Sequence, residues 1–242
     1  GSWAIPPDPV RADEIKETLY ADIVVLGAGI AGVSCALRAA QCGANVLVLE
    51  KSGSWSGRGG NIGVANSSYM KSCGIENDIT EIAREWIKRC GNRCDEKLVW
   101  QFLKNSGRAM DWLTDILAQP AYGARPALQG CAYRGETYRE NYGSHRFFGG
   151  PMVKKEKRAG GADAVFAMYS EAVKLGTRFL FKTPAEQLLK ENGRVTGVYA
   201  RRETGDYLLV IAQRGIILAT GDIAGNDEMC EDLAPLANRC AV

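Results

Sequence analysis

The run Gly27-Ala28-Gly29-Ile30-Ala31-Gly32 constrains this chain more than any other feature, because it fits the G-x-G-x-x-G pattern and lies between two contrasting stretches. Before it, residues 21–26 form an apolar, β-branched run, which predicts a parallel strand buried on both faces. After it, residues 29–42 carry small and apolar side chains at helical spacing and stop at Gly43. Residues 44–49 then predict a second buried strand, so strand, tight turn, helix and strand follow one another at the size of a βαβ unit. In such a unit Gly27 permits the sharp turn, Gly29 admits a diphosphate to the backbone, and Gly32 lets the helix pack closely on the strand. The diphosphate would rest on unpaired amides at the positive end of the helix dipole. Glu50 closes the second strand, where a carboxylate accepts hydrogen bonds from adenosine ribose hydroxyls and repels the extra phosphate of NADP. FAD and NAD share this fingerprint, and spacing alone does not separate them.

The rest of the chain is read more coarsely. Residues 1–20, with Pro6, Pro7 and Pro9, predict an extended lead-in, and residues 21–242 a single domain. Two amphipathic helices are expected, one striped by Ile79, Ile82, Ala83, Trp86, Ile87 and Cys90, the other by Leu98, Val99, Phe102, Leu103, Met110, Trp112 and Leu113. Residues 120–150 are expected to be loop. A helix is predicted over 162–175, then strands over 178–182, 186–190, 195–201, 207–212 and 215–219, with turns at Asn192-Gly193 and Gly205-Asp206. Residues 222–242 are expected to complete no further element. The fold class is α/β: a Rossmann-like parallel sheet with a βαβ dinucleotide unit, plus a small antiparallel β-hairpin layer.

Charge and composition exclude other classes. A formal charge of +2 over 242 residues implies neither nucleic acid nor an anionic membrane surface. The basic stretch Arg134, Arg139, Arg146, Lys154, Lys155, Lys157 and Arg158 reads as a solvated loop. No apolar run is long enough to span a bilayer, and no export signal is apparent, so a cytoplasmic location is expected. The eight cysteines show no paired C-x-x-C spacing; no metal is expected, and they read as small buried hydrophobes in a reducing compartment.

Further along, Glu50-Lys51-Ser52 with Ser56-Gly57-Arg58-Gly59-Gly60-Asn61 resembles the "EK…GGN" segment of the fumarate reductase and succinate dehydrogenase flavoproteins. His145-Arg146 with Gly149-Gly150 resembles that family's "HR…GG" segment. Residues 188–200 resemble its "GRVTGV" strand pair, and Ile216-Ile217-Leu218-Ala219-Thr220-Gly221 its "VILATGG" strand, with Asp222 where a second glycine is usual.

The resemblance implies FAD as cofactor. It brings Gly59, Gly60 and Asn61 toward the isoalloxazine, with Lys51, Ser52 and Arg58 in the same segment, Ala185 toward the adenine, and Thr220 and Gly221 along the diphosphate, with Ala219 beside them and Asp222 at the turn near the flavin. Membrane-bound members attach flavin through a histidine after the second strand; residues 52–66 contain none, so the FAD is expected to be non-covalent. His145, the only histidine, could be an acid, a base or a hydrogen-bonded loop residue. The implied activity is hydride transfer between flavin and an activated carbon-carbon double bond in a small molecule, with an electron-donor protein as a further partner. The family's substrate-binding and proton-donating residues follow the "ATGG" strand in a capping domain, so the chain is expected to end before them. Two other readings stand: an amine oxidase or NAD-dependent dehydrogenase sharing residues 27–50, and a flavin-binding module without turnover of its own.

Overall fold

The computed structural model describes residues 1–57, 59, 61–129, 143–150, 152 and 161–235. In chain order the elements are β1 (Ile15–Leu26), α1 (Ile30–Gln41), β2 (Val46–Leu49), β3 (Ile62–Gly63), α2 (Ser68–Ser72), α3 (Ile79–Arg89), α4 (Glu96–Leu117), β4 (Arg125–Gln129), β5 (Ser144–Phe148), α5 (Gly161–Lys174), β6 (Arg178–Leu180), β7 (Ala185–Glu191), β8 (Arg194–Arg201), β9 (Tyr207–Leu218) and α6 (Asp227–Leu233). The chain divides into two compact units, Gly1–Ser56 with Glu171–Val242, and Gly57–Ser170.

The first unit holds a six-stranded sheet in the order β6-β2-β1-β9-β8-β7. β1 runs parallel to both β2 and β9, and β2 parallel to β6. All four residues of β2 are buried, as a strand covered on both faces requires. Val24, Leu26, Leu47, Leu49, Val198, Leu208 and Val210 form the core of the unit. The hairpin β7-β8 hydrogen-bonds antiparallel onto β9 and so extends the same sheet.

The second unit contains a three-stranded antiparallel sheet in the order β3-β5-β4, with α2, α3 and α4. Along β5 the side chains of His145 and Phe147 are buried and Phe148 is exposed, the alternation of a half-covered strand. Ala65, Ala83, Val99 and Leu103 form a small core beneath the α3-α4 pair, and Trp86 meets Phe102 edge-on at 5.4 Å.

Several sequence expectations are corrected. β1 starts at Ile15, not residue 21: its first half is exposed and charged, and it is a strand because it pairs with Tyr207–Ile211 of β9. The two strands expected over 207–212 and 215–219 are one strand, β9. Its register against β1 slips between Ala212 and Gly215, so Gln213 and Arg214 form a bulge rather than a break. The Arg194 guanidinium donates to the carbonyls of both, at 3.3 and 3.0 Å. Residues 120–150 are not all loop, since β4 and β5 pair there with Pro126 opposite Phe147. Residues 222–242 do complete a further element: α6 forms there, capped by the Asn226 side chain, which accepts from the Met229 amide at 2.9 Å. The cysteines are not uniformly buried: Cys230 is, Cys35 and Cys94 are half-buried, and Cys42, Cys73 and Cys90 are exposed. Cys131 and Cys240 lie outside the described residues, as do Arg134, Arg139, Lys154, Lys155, Lys157 and Arg158 of the basic stretch.

Candidate functional site

In the first unit, four loops leave the carboxyl ends of parallel strands: residues 27–29 after β1, 50–52 after β2, 181–184 after β6 and 219–222 after β9. Ligands of open α/β sheets bind at this edge. Gly27 adopts φ of +105°, and a Cβ on it would lie 2.4 Å from the carbonyl oxygen of Ala219. A Cβ on Gly32 would lie 1.9 Å from the carbonyl oxygen of Gly27, so only glycine lets α1 approach the turn this closely. Gly29 differs. It is extended, with φ of −78°, and a Cβ there would meet no atom within 4 Å. Gly29 is also the N-cap of α1 and supplies no side-chain acceptor to the first-turn amides. Ala28 is fully buried, whereas Ile30 and Ala31 are exposed on the opening turn.

Glu50 ties this edge together. One carboxylate oxygen accepts the Ala28 amide at 2.7 Å, and the other accepts the Ser52 amide at 2.7 Å. Its own amide donates to Leu180 and its carbonyl accepts from Thr183, so β2 and the β6-β7 connection are held in register at the same point. Each carboxylate oxygen keeps a further lone pair for an outside donor. Ser56 donates to the Ala28 carbonyl, and the Ala219 amide to that of Leu26. Lys51, Ser52, Ala185, Thr220, Gly221 and Asp222 are exposed, and Ala219 is half-buried. The Asp222 side chain, which replaces the usual glycine, folds back to accept the Ala224 amide at 2.9 Å.

The remaining expected residues belong to the second unit. Gly59 is exposed with φ of +88°, and its carbonyl accepts the Gly161 amide at 2.7 Å. Exposed Asn61 accepts through its side-chain oxygen from Arg146. Arg58 and Gly60 lie outside the described residues.

His145 is fully buried. Its Nδ1 is 2.9 Å from the Gly143 carbonyl, which can only accept, so Nδ1 carries the proton. Nε2 of the neutral ring then accepts the Ser67 hydroxyl at 2.7 Å, while that hydroxyl oxygen caps α2 by accepting the Met70 amide. Burial pushes the imidazole below its ordinary pKa, against the opposing pull of the Gly143 carbonyl and Asp111. With both nitrogens engaged, His145 is built as a buried cross-brace. Its partner Ser67 carries a local sequence signal only for capping α2 at Met70; the contact with residue 145 is long-range and has none. Asp163 is fully buried in the first turn of α5 and accepts the Met152 amide at 2.9 Å.

Among the described residues no helix is long and apolar enough to cross a membrane, and no three or more His, Cys, Asp or Glu side chains group as metal ligands.

Residues 22–242 match the family model described as FAD binding domain. A vinyl phenol reductase of Lactiplantibacillus plantarum is 30% identical over 219 residues, covering 88% of this chain and 40% of that protein. A fumarate reductase (cytochrome) of Shewanella frigidimarina is 30% identical over 219 residues, 88% of this chain and 35% of its own length. The chain therefore spans well under half of these curated relatives. Among solved structures, the 3-ketosteroid-delta4-(5alpha)-dehydrogenase from Rhodococcus jostii RHA1, in complex with 4-androstene-3,17-dione, aligns with a TM-score of 0.76 at 28% identity, over 94% of this chain and 51% of that one.

Proposed function

This chain belongs to the FAD binding domain family, and from that premise we propose that its first unit seats the adenosine diphosphate half of FAD without a covalent bond. The observation that carries the reading is the opening of α1. Its first-turn amides have no side-chain cap, and the Gly29 Cβ position faces open space. A diphosphate there would accept from amides at the positive end of the helix, with Gly27 and Gly32 keeping strand and helix out of its way. Glu50, anchored to Ala28 and Ser52, presents its remaining lone pairs to the ribose hydroxyls. Ala219, Thr220 and Gly221 line the neighbouring loop, and Ala185 lies at the start of β7 where the adenine would approach.

FAD, when bound, supplies a two-electron carrier suited to reducing an activated carbon-carbon double bond. The matched relatives favour that chemistry here: a vinyl phenol and fumarate each contain a conjugated carbon-carbon double bond, and 4-androstene-3,17-dione is an enone. We assign a small enoate, enone or vinylarene as the substrate class of the whole protein, with a separate protein as electron donor. Within the described residues we assign no proton donor, because neither His145 nitrogen is free.

The test is direct. The refolded or native chain is loaded with FAD, washed, and precipitated with acid; yellow colour should pass to the supernatant. Flavin kept in the washed pellet contradicts the non-covalent assignment, and a folded chain that takes up no FAD contradicts the site. The loaded chain should be reduced by dithionite and reoxidised by air. Under anaerobic conditions fumarate should not accelerate that reoxidation, and acceleration would place a working proton donor within these residues.

A further inference from the structure

One face of the β3-β5-β4 sheet carries two arginines with no acid beside them. His145 and Phe147 of β5 are buried, so Arg146 and Phe148, which alternate with them, belong to the opposite face, where Phe148 is exposed. The register sets Arg125 of β4 directly across from Phe148, and Ala127 across from Arg146. Arg125 and Arg146 are therefore diagonal neighbours on one face, with the Cβ separation of about 7–8 Å typical of such pairs, which two arginine side chains can close on a single anion. Arg125 is exposed and Arg146 half-buried. The Asn61 side-chain oxygen accepts from Nε of Arg146, which fixes the guanidinium and leaves its terminal amino groups to donate elsewhere. Among the described residues no carboxylate pairs with either arginine. Like charges on adjacent strands repel, so a face that keeps two of them without an acid suits an anion from outside.

We infer that this face binds the carboxylate of a planar, conjugated acid. The two guanidiniums donate to the carboxylate oxygens, for which their flat forks are better matched than a point charge would be. The Phe148 ring, at the cross-strand position of Arg125, lies against the apolar remainder of the acid. A flat carboxylate with a conjugated body uses both the arginines and the ring, whereas a tetrahedral phosphate uses the arginines alone. The inference rests on the reading of the chain as part of a flavin-dependent reductase of enoates, enones or vinylarenes, and it narrows that class to an enoate, because an uncharged enone or vinylarene has no carboxylate to place here. Asn61, which holds Arg146, is itself one of the residues that the family resemblance brings toward the isoalloxazine.

Equilibrium dialysis of the folded 242-residue chain at low ionic strength, with and without FAD, tests this with three probes: trans-cinnamate, its neutral counterpart cinnamamide, and inorganic phosphate. Cinnamate should bind roughly tenfold or more tightly than cinnamamide, which lacks the charge-assisted pairs. Phosphate should bind more weakly than cinnamate. Arg125→Ala removes an exposed side chain, and Arg146→Gln keeps a donor for Asn61; each should weaken cinnamate by about tenfold. Arg93→Ala, the same change of charge at an exposed position between α3 and α4, should leave cinnamate within about twofold. Phe148→Ala should weaken cinnamate and leave phosphate unchanged. The inference is overturned if cinnamate binds no better than cinnamamide, if either Arg125→Ala or Arg146→Gln keeps full affinity, if Arg93→Ala weakens cinnamate equally, or if phosphate matches cinnamate. Flavin uptake is read separately by acid precipitation, and Arg125→Ala should load FAD as the unaltered chain does. Arginine-dependent cinnamate binding in a chain that takes up no FAD would sink the flavin reading and keep the carboxylate site; FAD uptake without it would do the reverse.

Discussion

At the scale of single residues, Glu50 and His145 separate binding from bracing. Glu50→Gln replaces one acceptor oxygen with an amino group that faces either the Ala28 or the Ser52 amide. The variant should lose about 1–3 kcal/mol of apo-protein stability for the unsatisfied donor, read as a lower urea midpoint. It should also lose FAD affinity by roughly tenfold or more by calorimetry. A drop in affinity at unchanged stability would show that the two amide contacts contribute nothing. For His145 the sign of the pH effect follows from its depressed folded pKa. The unfolded chain takes up a proton near pH 6.5 and the folded chain only below that, so the unfolded state binds more protons in the window between. Stability from this group is full above about pH 6.5 and is lost as pH falls through the folded value. Urea midpoints of the wild-type chain should therefore decline from pH 7.5 to 5.5. His145→Asn, which can still donate to Gly143 but does not titrate, should start lower by about 1–3 kcal/mol and show a flatter decline. The tight turn at Gly27, the close approach at Gly32 and the place of Glu50 at the end of β2 were legible because they are local in sequence. His145 was not, because its burial depends on pairing with β3 and β4 and on Ser67, none of which is visible at position 145.

At the scale of elements, α1 offers a paired experiment. Gly29→Ala adds a methyl group into open space at a conformation any residue adopts, so apo stability should stay within about 0.5 kcal/mol. FAD binding should still weaken by tenfold, on the order of 1.4 kcal/mol, or more, since that space is where we propose the diphosphate rests. Gly32→Ala drives a methyl group into the Gly27 carbonyl and should cost about 1–3 kcal/mol of apo stability in a urea titration. The reverse pattern would mean that the glycines serve packing at 29 and binding at 32. Among elements with strong periodicity, α1, α5 and β2 were readable to within a residue or two, and α3 and α4 through their apolar stripes though not their ends. β9 was read as two strands because Gln213 and Arg214 are polar and look like a turn, whereas the bulge they form is stabilised by Arg194 from the neighbouring strand. β4 and β5 escaped because each is short and rich in arginine, proline or phenylalanine, and their pairing is long-range.

For the whole molecule, linkage gives the scale of cofactor stabilisation. FAD at a hundredfold excess over its Kd should add about 2.7 kcal/mol, and thus raise Tm by roughly 5–10 °C for a chain of this size, while NAD at the same concentration should do far less. Equal shifts would return the site to the generic dinucleotide reading with which the glycine motif alone is compatible. One feature of the sheet reaches beyond the finished protein. β1 is flanked by β2 on one side and β9 on the other, and Val24 pairs with Ile216 across roughly 190 residues of chain. During synthesis the ribosome, at about 5–20 residues per second, needs on the order of ten seconds or longer to deliver the second neighbour. Until then Val24, Val25 and Leu26 lack one flank, and the Ala219 carbonyl that abuts Gly27 has not been made. With the cofactor seated as proposed, loading should be a late event in the life of the nascent chain: ribosome-arrested chains with residue 206 just outside the exit tunnel should retain no flavin, and those with residues through 235 exposed should.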